Sequence, residues 1–243
     1  MKALLSFDPP VIAHRGASAY APENTLSAFT KAVALGVKWV EFDVMAAACG
    51  EPIVFHDDEL QRTTRQQGRV MNFTYHYLQT LDAGAWFDPR FSGERIPRLN
   101  DLLVFLAESK MNVNIEIKAP PASEDALIKR VLQEVSPYWN TGQTFLFSSF
   151  SLTALRRLRE QAPTCLLGLL LDEWRTDWNS IATDLDCITI NTNADNMTAA
   201  RVHEIKMTNR AVLCYTVNDP MQAAKLFEWG VDAVFSDIPD RIL

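Results

Sequence analysis

The sequence predicts an α/β fold, a (β/α)8 TIM barrel carrying a β-hairpin and a small inserted subdomain. Three observations lead there. Eight apolar or β-branched segments recur along the chain, most of them separated by amphipathic helical patterns, and such alternation builds parallel sheets. The 243 residues suit a single barrel domain over 1–243. A ninth strand pattern follows the second too closely for a helical crossover, so it reads as antiparallel and leaves the barrel number of eight.

In chain order, residues 11–14 read as the first strand. Thr25 then precedes a helix with Leu26, Phe29 and Val33 on one face, which stops at Gly36. The second strand, 39–43, is followed by a tight turn at Cys49-Gly50 and by Pro52 to His56 as the return arm of a hairpin. Residues 57–98 depart from the repeat. Their glycines and prolines are interleaved with Phe73, Tyr75, Tyr77, Trp86, Phe87 and Phe91, too aromatic for a loose linker, so an inserted region capping the barrel mouth is expected. Further strands are expected at 113–117, 145–148, 165–170, 187–190, 211–216 and 233–236, and helices at 99–109, 123–135, 151–160, 176–184, 197–206 and 219–229. Ser151, Thr176 or Asp177, and Asn218 or Asp219 are the expected helix caps, and Pro220 falls where its missing N–H costs little.

Bulk properties remove several classes of function. With 23 basic and 30 acidic side chains the net charge is −7, which recommends neither a nucleic-acid backbone nor an anionic membrane as partner. A phosphate-bearing ligand would need a local basic site. Cys49, Cys165, Cys187 and Cys214 are widely spaced and form no Cys-x-x-Cys or Cys/His cluster, so they read as buried thiols in a reducing compartment. The opening MKALLSFDPP is too brief and interrupted for a signal peptide, and no later segment reaches a membrane span. A cytoplasmic location without membrane insertion is expected; oligomeric state is not legible. No phosphate loop, dinucleotide fingerprint or Gly-x-Ser-x-Gly elbow is present.

Chemistry gathers at three strand ends. The first ends His14-Arg15-Gly16, the second contains Glu41-Phe42-Asp43, and the third contains Glu116-Ile117-Lys118. Alternation along a strand puts Glu41 with Asp43, and Glu116 with Lys118, on one face each. Such charges cannot enter an apolar helix–sheet interface, so they point inward at the C-terminal mouth. Two readings remain open there: a hard divalent cation offsetting three carboxylates, or ion pairs with Arg15 and Lys118. His14 and His56, with Arg15 beside them, supply two proton carriers and a phosphate clamp for phosphoryl transfer. His76 and His203 read as surface or packing residues. Ser148, Ser149 and Ser151 read as loop and capping residues, and Tyr215 as placed to touch a ligand.

In this order His14-Arg15-Gly16, Pro22-Glu23-Asn24-Thr25, Glu41-x-Asp43, His56-Asp57, Arg62-Thr63-Thr64, Glu116-Ile117-Lys118, Tyr215-Thr216-Val217-Asn218 and Ser236-Asp237 resemble the motifs of the glycerophosphodiester phosphodiesterase family. The resemblance runs over about 11–240, and residues 168–178 are similar to the short cytoplasmic bacterial form. It implies a TIM barrel and metal-dependent hydrolysis of small glycerophosphodiesters, such as glycerophosphocholine and glycerophosphoethanolamine, to sn-glycerol 3-phosphate and an alcohol. It further implies Glu41, Asp43 and Glu116 as ligands of Mg²⁺ or Ca²⁺, with Mn²⁺ as an alternative, His14 and His56 as acid/base residues, and Arg15 and Lys118 on phosphate. Cys214, beside Tyr215, departs from the family pattern and is expected to affect the alcohol-side pocket. A lyase that stops at a cyclic phosphate and a silent binding protein are the competing readings; motif order disfavours the first, and retention of both histidines and all three carboxylates the second.

Overall fold

The computed structural model describes residues 5–118 and 123–242; the first four residues of the amino-terminal patch considered above lie outside them. Nine strands are described: β1 Val11–His14, β2 Trp39–Ala46, β3 Pro52–Val54, β4 Asn112–Ile117, β5 Phe145–Ser149, β6 Leu166–Leu171, β7 Thr189–Asn193, β8 Ala211–Tyr215 and β9 Ala233–Ser236. The α-helices are α1 Leu26–Ala34, α2 Gln61–Thr64, α3 Tyr75–Leu78, α4 Leu99–Glu108, α5 Glu124–Val135, α6 Leu152–Gln161, α7 Trp178–Asp184, α8 Ala199–Lys206, α9 Pro220–Glu228 and α10 Pro239–Ile242. The sheet runs β1-β9-β8-β7-β6-β5-β4-β2-β3, and a parallel β1–β2 pairing closes it. β3 alone is antiparallel, on β2. Eight parallel strands therefore form a closed TIM barrel with β3 outside it.

Strand alternation explains both layers of the core. Val11 and Ala13 of β1, Val40, Phe42 and Val44 of β2, and Val113, Ile115 and Ile117 of β4 pack outward in the large cluster shared with the helices. Their in-between neighbours point into the barrel. At the lower level these are Ile12, Trp39, Leu146, Ala211, Leu213, Ala233 and Phe235, which fill the interior. The next inward positions, one pleat higher, are His14, Glu41 and Tyr215. Phe42 lies between the two inward carboxylates of β2, fully buried and edge-on to Phe29 at 5.9 Å. Its truncation to alanine would cost about 3–5 kcal/mol, so the packing layer also fixes the pitch of the strand.

Caps follow the expected chemistry in most places. The side chains of Thr25, Ser151 and Asp219 accept from backbone N–H groups of Ala28, Ala154 and Met221 at the starts of α1, α6 and α9. Asp177 stands at the cap of α7 without such a bond, because its carboxylate is held by Arg175 at 2.6 and 2.8 Å. Asn218 is drawn to Asp237 instead of capping. β2 runs three residues beyond the expected end because its upper half pairs with β3, Val44 with Val54 through Ala46 with Pro52. Of the four cysteines only Cys187 and Cys214 are buried. Cys165 is intermediate, and Cys49 is exposed at the hairpin turn, where it accepts from Tyr75.

Between β3 and α4 the chain forms a second apolar cluster in which Leu60, Val70, Leu78, Ala83 and Ile96 pack on Met45, Ala47, Ile53 and Phe55 of the hairpin. The aromatic residues noted in sequence serve mainly within this segment, as in the 4.8 Å Phe73–Tyr77 stack. Among the described residues no helix is long and apolar enough to cross a membrane.

Candidate active site

The carboxylates meet because of strand register. Glu41 lies opposite His14, and Asp43 opposite Glu116. One atom from each of Glu41, Asp43 and Glu116 falls within 4.8 Å of the others. Burial, followed by the charges of Asp43 and Glu116, pushes Glu41 well above the usual carboxylate range. Burial and Asp43 push Glu116 up to about 7. Burial opposes ionisation of Asp43 too, but Arg15, His56, Lys118 and the amide of Asn24 outweigh it and hold Asp43 low.

Both readings left open by the sequence have a counterpart here. Lys118 Nζ lies 3.7 Å from Asp43 and 3.4 Å from Glu116, and Arg15 Nε lies 3.4 Å from Asp43. These pairs do not balance the cluster. Arg15 also serves Glu23 at 2.8 Å, while among the described residues Glu41 is met by the Arg15 backbone N–H at 3.0 Å and by His14 Nε2 at 4.0 Å. The remaining negative charge, presented by clustered hard oxygen donors, fits a divalent cation.

Each histidine is fixed by its own carboxylate. His14 Nδ1 is 2.7 Å from Asp237 Oδ1, and Asp237 is held in turn by Ser18 and Asn218. Burial works against the Asp237 charge, but the bonds from His14, Asn218 and Ser18 bring it down to about 2. An ionised carboxylate can only accept, so Nδ1 carries the hydrogen and Nε2 is left toward Glu41. His56 follows β3, where the bond from Phe55 N–H to the Asp43 carbonyl continues the hairpin. Its Nδ1 lies 2.5 Å from Asp57 Oδ1. Burial lowers the His56 pKa against the pull of Asp43, which favours the neutral imidazole.

Arg62 closes a second ring of charge. It donates to Asp57 at 2.6 and 2.9 Å and to Glu23 at 2.6 and 2.8 Å, and Glu23 also receives Arg15. Arg15 itself adopts φ 54°, a left-handed conformation that costs on the order of 1 kcal/mol or more outside glycine. The Glu41 carboxylate and the bond from Asn24 N–H to the Arg15 carbonyl hold it there. Gly16 follows at φ 81°, where a Cβ would lie 2.7 Å from the Ala28 backbone. Only glycine lets this turn pass against α1.

The cavity over these groups is lined by His14, Arg15, Glu41, His56 and Glu116 on one side and by Phe150, Leu170, Tyr215 and Phe235 on the other, with Asn114 and Ser148 also contributing. Six of the eight residues expected in the site line this cavity, and Asp43 and Lys118 join it through the carboxylate cluster and the Lys118 contacts to Asp43 and Glu116. Tyr215 lines the cavity through its ring, since its hydroxyl donates to the Leu171 carbonyl at 2.8 Å. Cys214 points outward into the helix-facing core, so the expectation that it shapes the pocket is not met. Glu23, Asn24, Asp57 and Asp237 lie in the motifs but carry no role legible from sequence, and Asn114 and Phe150 join the site without a sequence signal. Ser148, a loop or capping residue by sequence, is instead buried on β5, bonded to Asn114 at 2.9 Å. His76 and His203 are exposed, as expected.

The chain is similar to known phosphodiesterases. The sequence model of the "Glycerophosphoryl diester phosphodiesterase family" matches residues 14–241. A glycerophosphodiester phosphodiesterase of Caldanaerobacter subterraneus is 32% identical over 237 residues, covering 96% of each chain. The structure of a phosphodiesterase from Oleispira antarctica, in complex with the product sn-glycerol-3-phosphate, superposes with a TM-score of 0.94 at 36% identity, covering 96% of this chain and 95% of that one. A glycerophosphodiester phosphodiesterase from Agrobacterium tumefaciens superposes with a TM-score of 0.76 at 28% identity, over 95% of this chain and 97% of the other.

Proposed function

The chain belongs to the glycerophosphoryl diester phosphodiesterase family, and from that premise we propose that it hydrolyses small glycerophosphodiesters, glycerophosphocholine and glycerophosphoethanolamine among them, to sn-glycerol 3-phosphate and an alcohol with Mg²⁺, Ca²⁺ or Mn²⁺ as cofactor. The observation that carries the reading is the Glu41, Asp43 and Glu116 cluster beside two histidines, each oriented by its own carboxylate. Those three carboxylates would hold the cation. When bound, the cation offsets their charge and stabilises negative charge growing on the phosphoryl oxygens. Arg15 and Lys118 contact the remaining phosphate oxygens, and the Tyr215 ring supports the substrate from the opposite wall. Of the two imidazoles, one takes the proton from the entering oxygen and the other returns one to the leaving alcohol oxygen, so that water is consumed and the P–O bond to the alcohol is broken. The 57–98 segment sends Arg62 to Asp57 and Glu23 beside the mouth, which supports a capping role for it.

Purified protein given glycerophosphocholine and Mg²⁺, Ca²⁺ or Mn²⁺ should release glycerol 3-phosphate, and EDTA should stop it. No turnover with any of the three metals would sink the reading. Intact phosphatidylcholine should be a far poorer substrate, because the net charge is −7 and no long apolar helix is present among the described residues; equal turnover of the lipid would refute that choice of substrate class.

A further inference from the structure

We propose that Arg62 is a positioning residue for both halves of the reaction, setting the imidazole of His56 through Asp57 and the guanidinium of Arg15 through Glu23. The inference rests on the function proposed above. Its basis is the arrangement of hydrogen bonds around one side chain.

Arg62 Nε and Nη2 hold the two oxygens of Asp57 at 2.6 and 2.9 Å, and Nη1 and Nη2 hold the two oxygens of Glu23 at 2.6 and 2.8 Å. Each carboxylate is gripped as a fork and has an oxygen left to share. Asp57 Oδ1 turns to His56 Nδ1, and Glu23 Oε1 to Arg15 Nη1. Two groups from different strands, one on the hairpin and one at the end of β1, are thus referred to one planar cation. A lysine could not do this, because an ammonium lacks the rigid fork.

The ordinary reading of a half-exposed arginine among acids is a surface ion pair worth little. Two features oppose it here. Arg62 is 43% exposed, but the carboxylates it grips, Glu23 and Asp57, are only 12% and 24% exposed, so the pairs are partly withdrawn from solvent. The backbone bearing Arg62 is also seated from beneath. Leu60 is fully buried in the second apolar cluster, Thr63 and Thr64 are buried, and Thr64 Oγ1 donates to the Leu60 carbonyl at 2.7 Å. Helix α2 therefore has little freedom to let the guanidinium drift, and the inserted segment takes part in aligning the reacting groups.

The test is steady-state kinetics of Arg62→Ala and Arg62→Lys on glycerophosphocholine, alongside thermal unfolding. Misplacing a reacting group by about 1 Å can cost up to roughly 10²-fold. Arg62→Ala should therefore lose kcat by tenfold or more with a smaller change in KM and an unchanged unfolding midpoint. Millimolar guanidinium chloride should restore part of the loss, matched sodium chloride should not, and Arg62→Lys should stay slow. Wild-type kcat in Arg62→Ala overturns the inference, as does a loss that tracks destabilisation and ignores guanidinium. Should Arg62→Ala not fold, Arg62→Gln carries the same measurements. An inactive wild type removes the functional reading itself, whereas an active wild type with an undisturbed Arg62→Ala removes this inference alone.

Discussion

Two walls of the barrel mouth are made from the same strand–helix unit but carry different surfaces: β1, β2 and β4 end inward in His14, Glu41, Asp43 and Glu116, while β6, β8 and β9 offer Leu170, Tyr215 and Phe235. Both are held by the same outward layer of apolar residues. The difference shows what a barrel spends its stability on. An apolar wall needs only packing partners, such as the 6.0 Å Phe150–Tyr215 and 6.5 Å Tyr215–Phe235 ring contacts. Acidic side chains need compensating charge at every position, here from Arg15, Lys118 and the proposed cation. Chemistry should be confined to the ionic wall, and substrate bulk to the apolar one.

The largest effects should come from the two histidines proposed as proton carriers. His14→Ala and His56→Ala are expected to lose roughly 10²–10⁴-fold in turnover while binding Mg²⁺ or Ca²⁺ almost normally by calorimetry; metal loss in either variant would mean a ligand has been misplaced. A diester with an acidic nitrophenol leaving group should selectively rescue whichever variant lacks the general acid. Next come Arg15→Ala and Lys118→Ala. A charge-assisted bond is worth about 1.5–3 kcal/mol, so each should lose on the order of 10- to 100-fold in kcat/KM with the fold intact, and wild-type kinetics in both would take them off the phosphate.

The walls should also differ in pH response. Glu116 titrates at about 7 in the folded protein against an ordinary 4.5, so in that window the native state binds more protons than the unfolded one. With Glu41 also pushed well above its ordinary range, stability of the metal-free protein should therefore fall as pH rises from about 4.5 through 7. Added metal should stabilise more at pH 8 than at pH 5.5, because protons compete for the same oxygens. Melting curves with and without metal at the two pH values check this, and Glu116→Gln should flatten the metal-free trend. The smallest effect is on the apolar wall. Tyr215→Phe removes one hydrogen bond to Leu171, worth about 1 kcal/mol of stability, and should change turnover only slightly; a large loss would bring the Tyr215 hydroxyl into the chemistry.

Much of the ionic wall was legible because it is local. The Glu41-x-Asp43 and Glu116-x-Lys118 spacings state which face each side chain takes, and the short gap before Pro52 identifies the hairpin that carries His56. The partners of those groups were harder to read. Asp237 orients His14 only because β9 pairs with β1 on barrel closure, and Arg62 reaches Glu23 only through the placement of α2. No periodicity in sequence encodes such meetings. Strand ends shifted for a similar reason, since β2 continues to Ala46 where β3 gives it a partner. Phe150 was missed because an exposed aromatic after a strand has no pattern of its own.

The bond between His14 and Asp237 joins residues 223 positions apart, and it gives biosynthesis a definite order. A chain made from its amino end displays both histidines and all three carboxylates long before Asp237 exists. Its first imidazole gains an anchor only when the final strand docks between β1 and β8, one of the least local events in the fold and so expected among its slower ones. A premature stop anywhere before residue 237 should leave that imidazole unheld, so unfinished chains would not cleave phosphodiesters at the full rate while still on the ribosome.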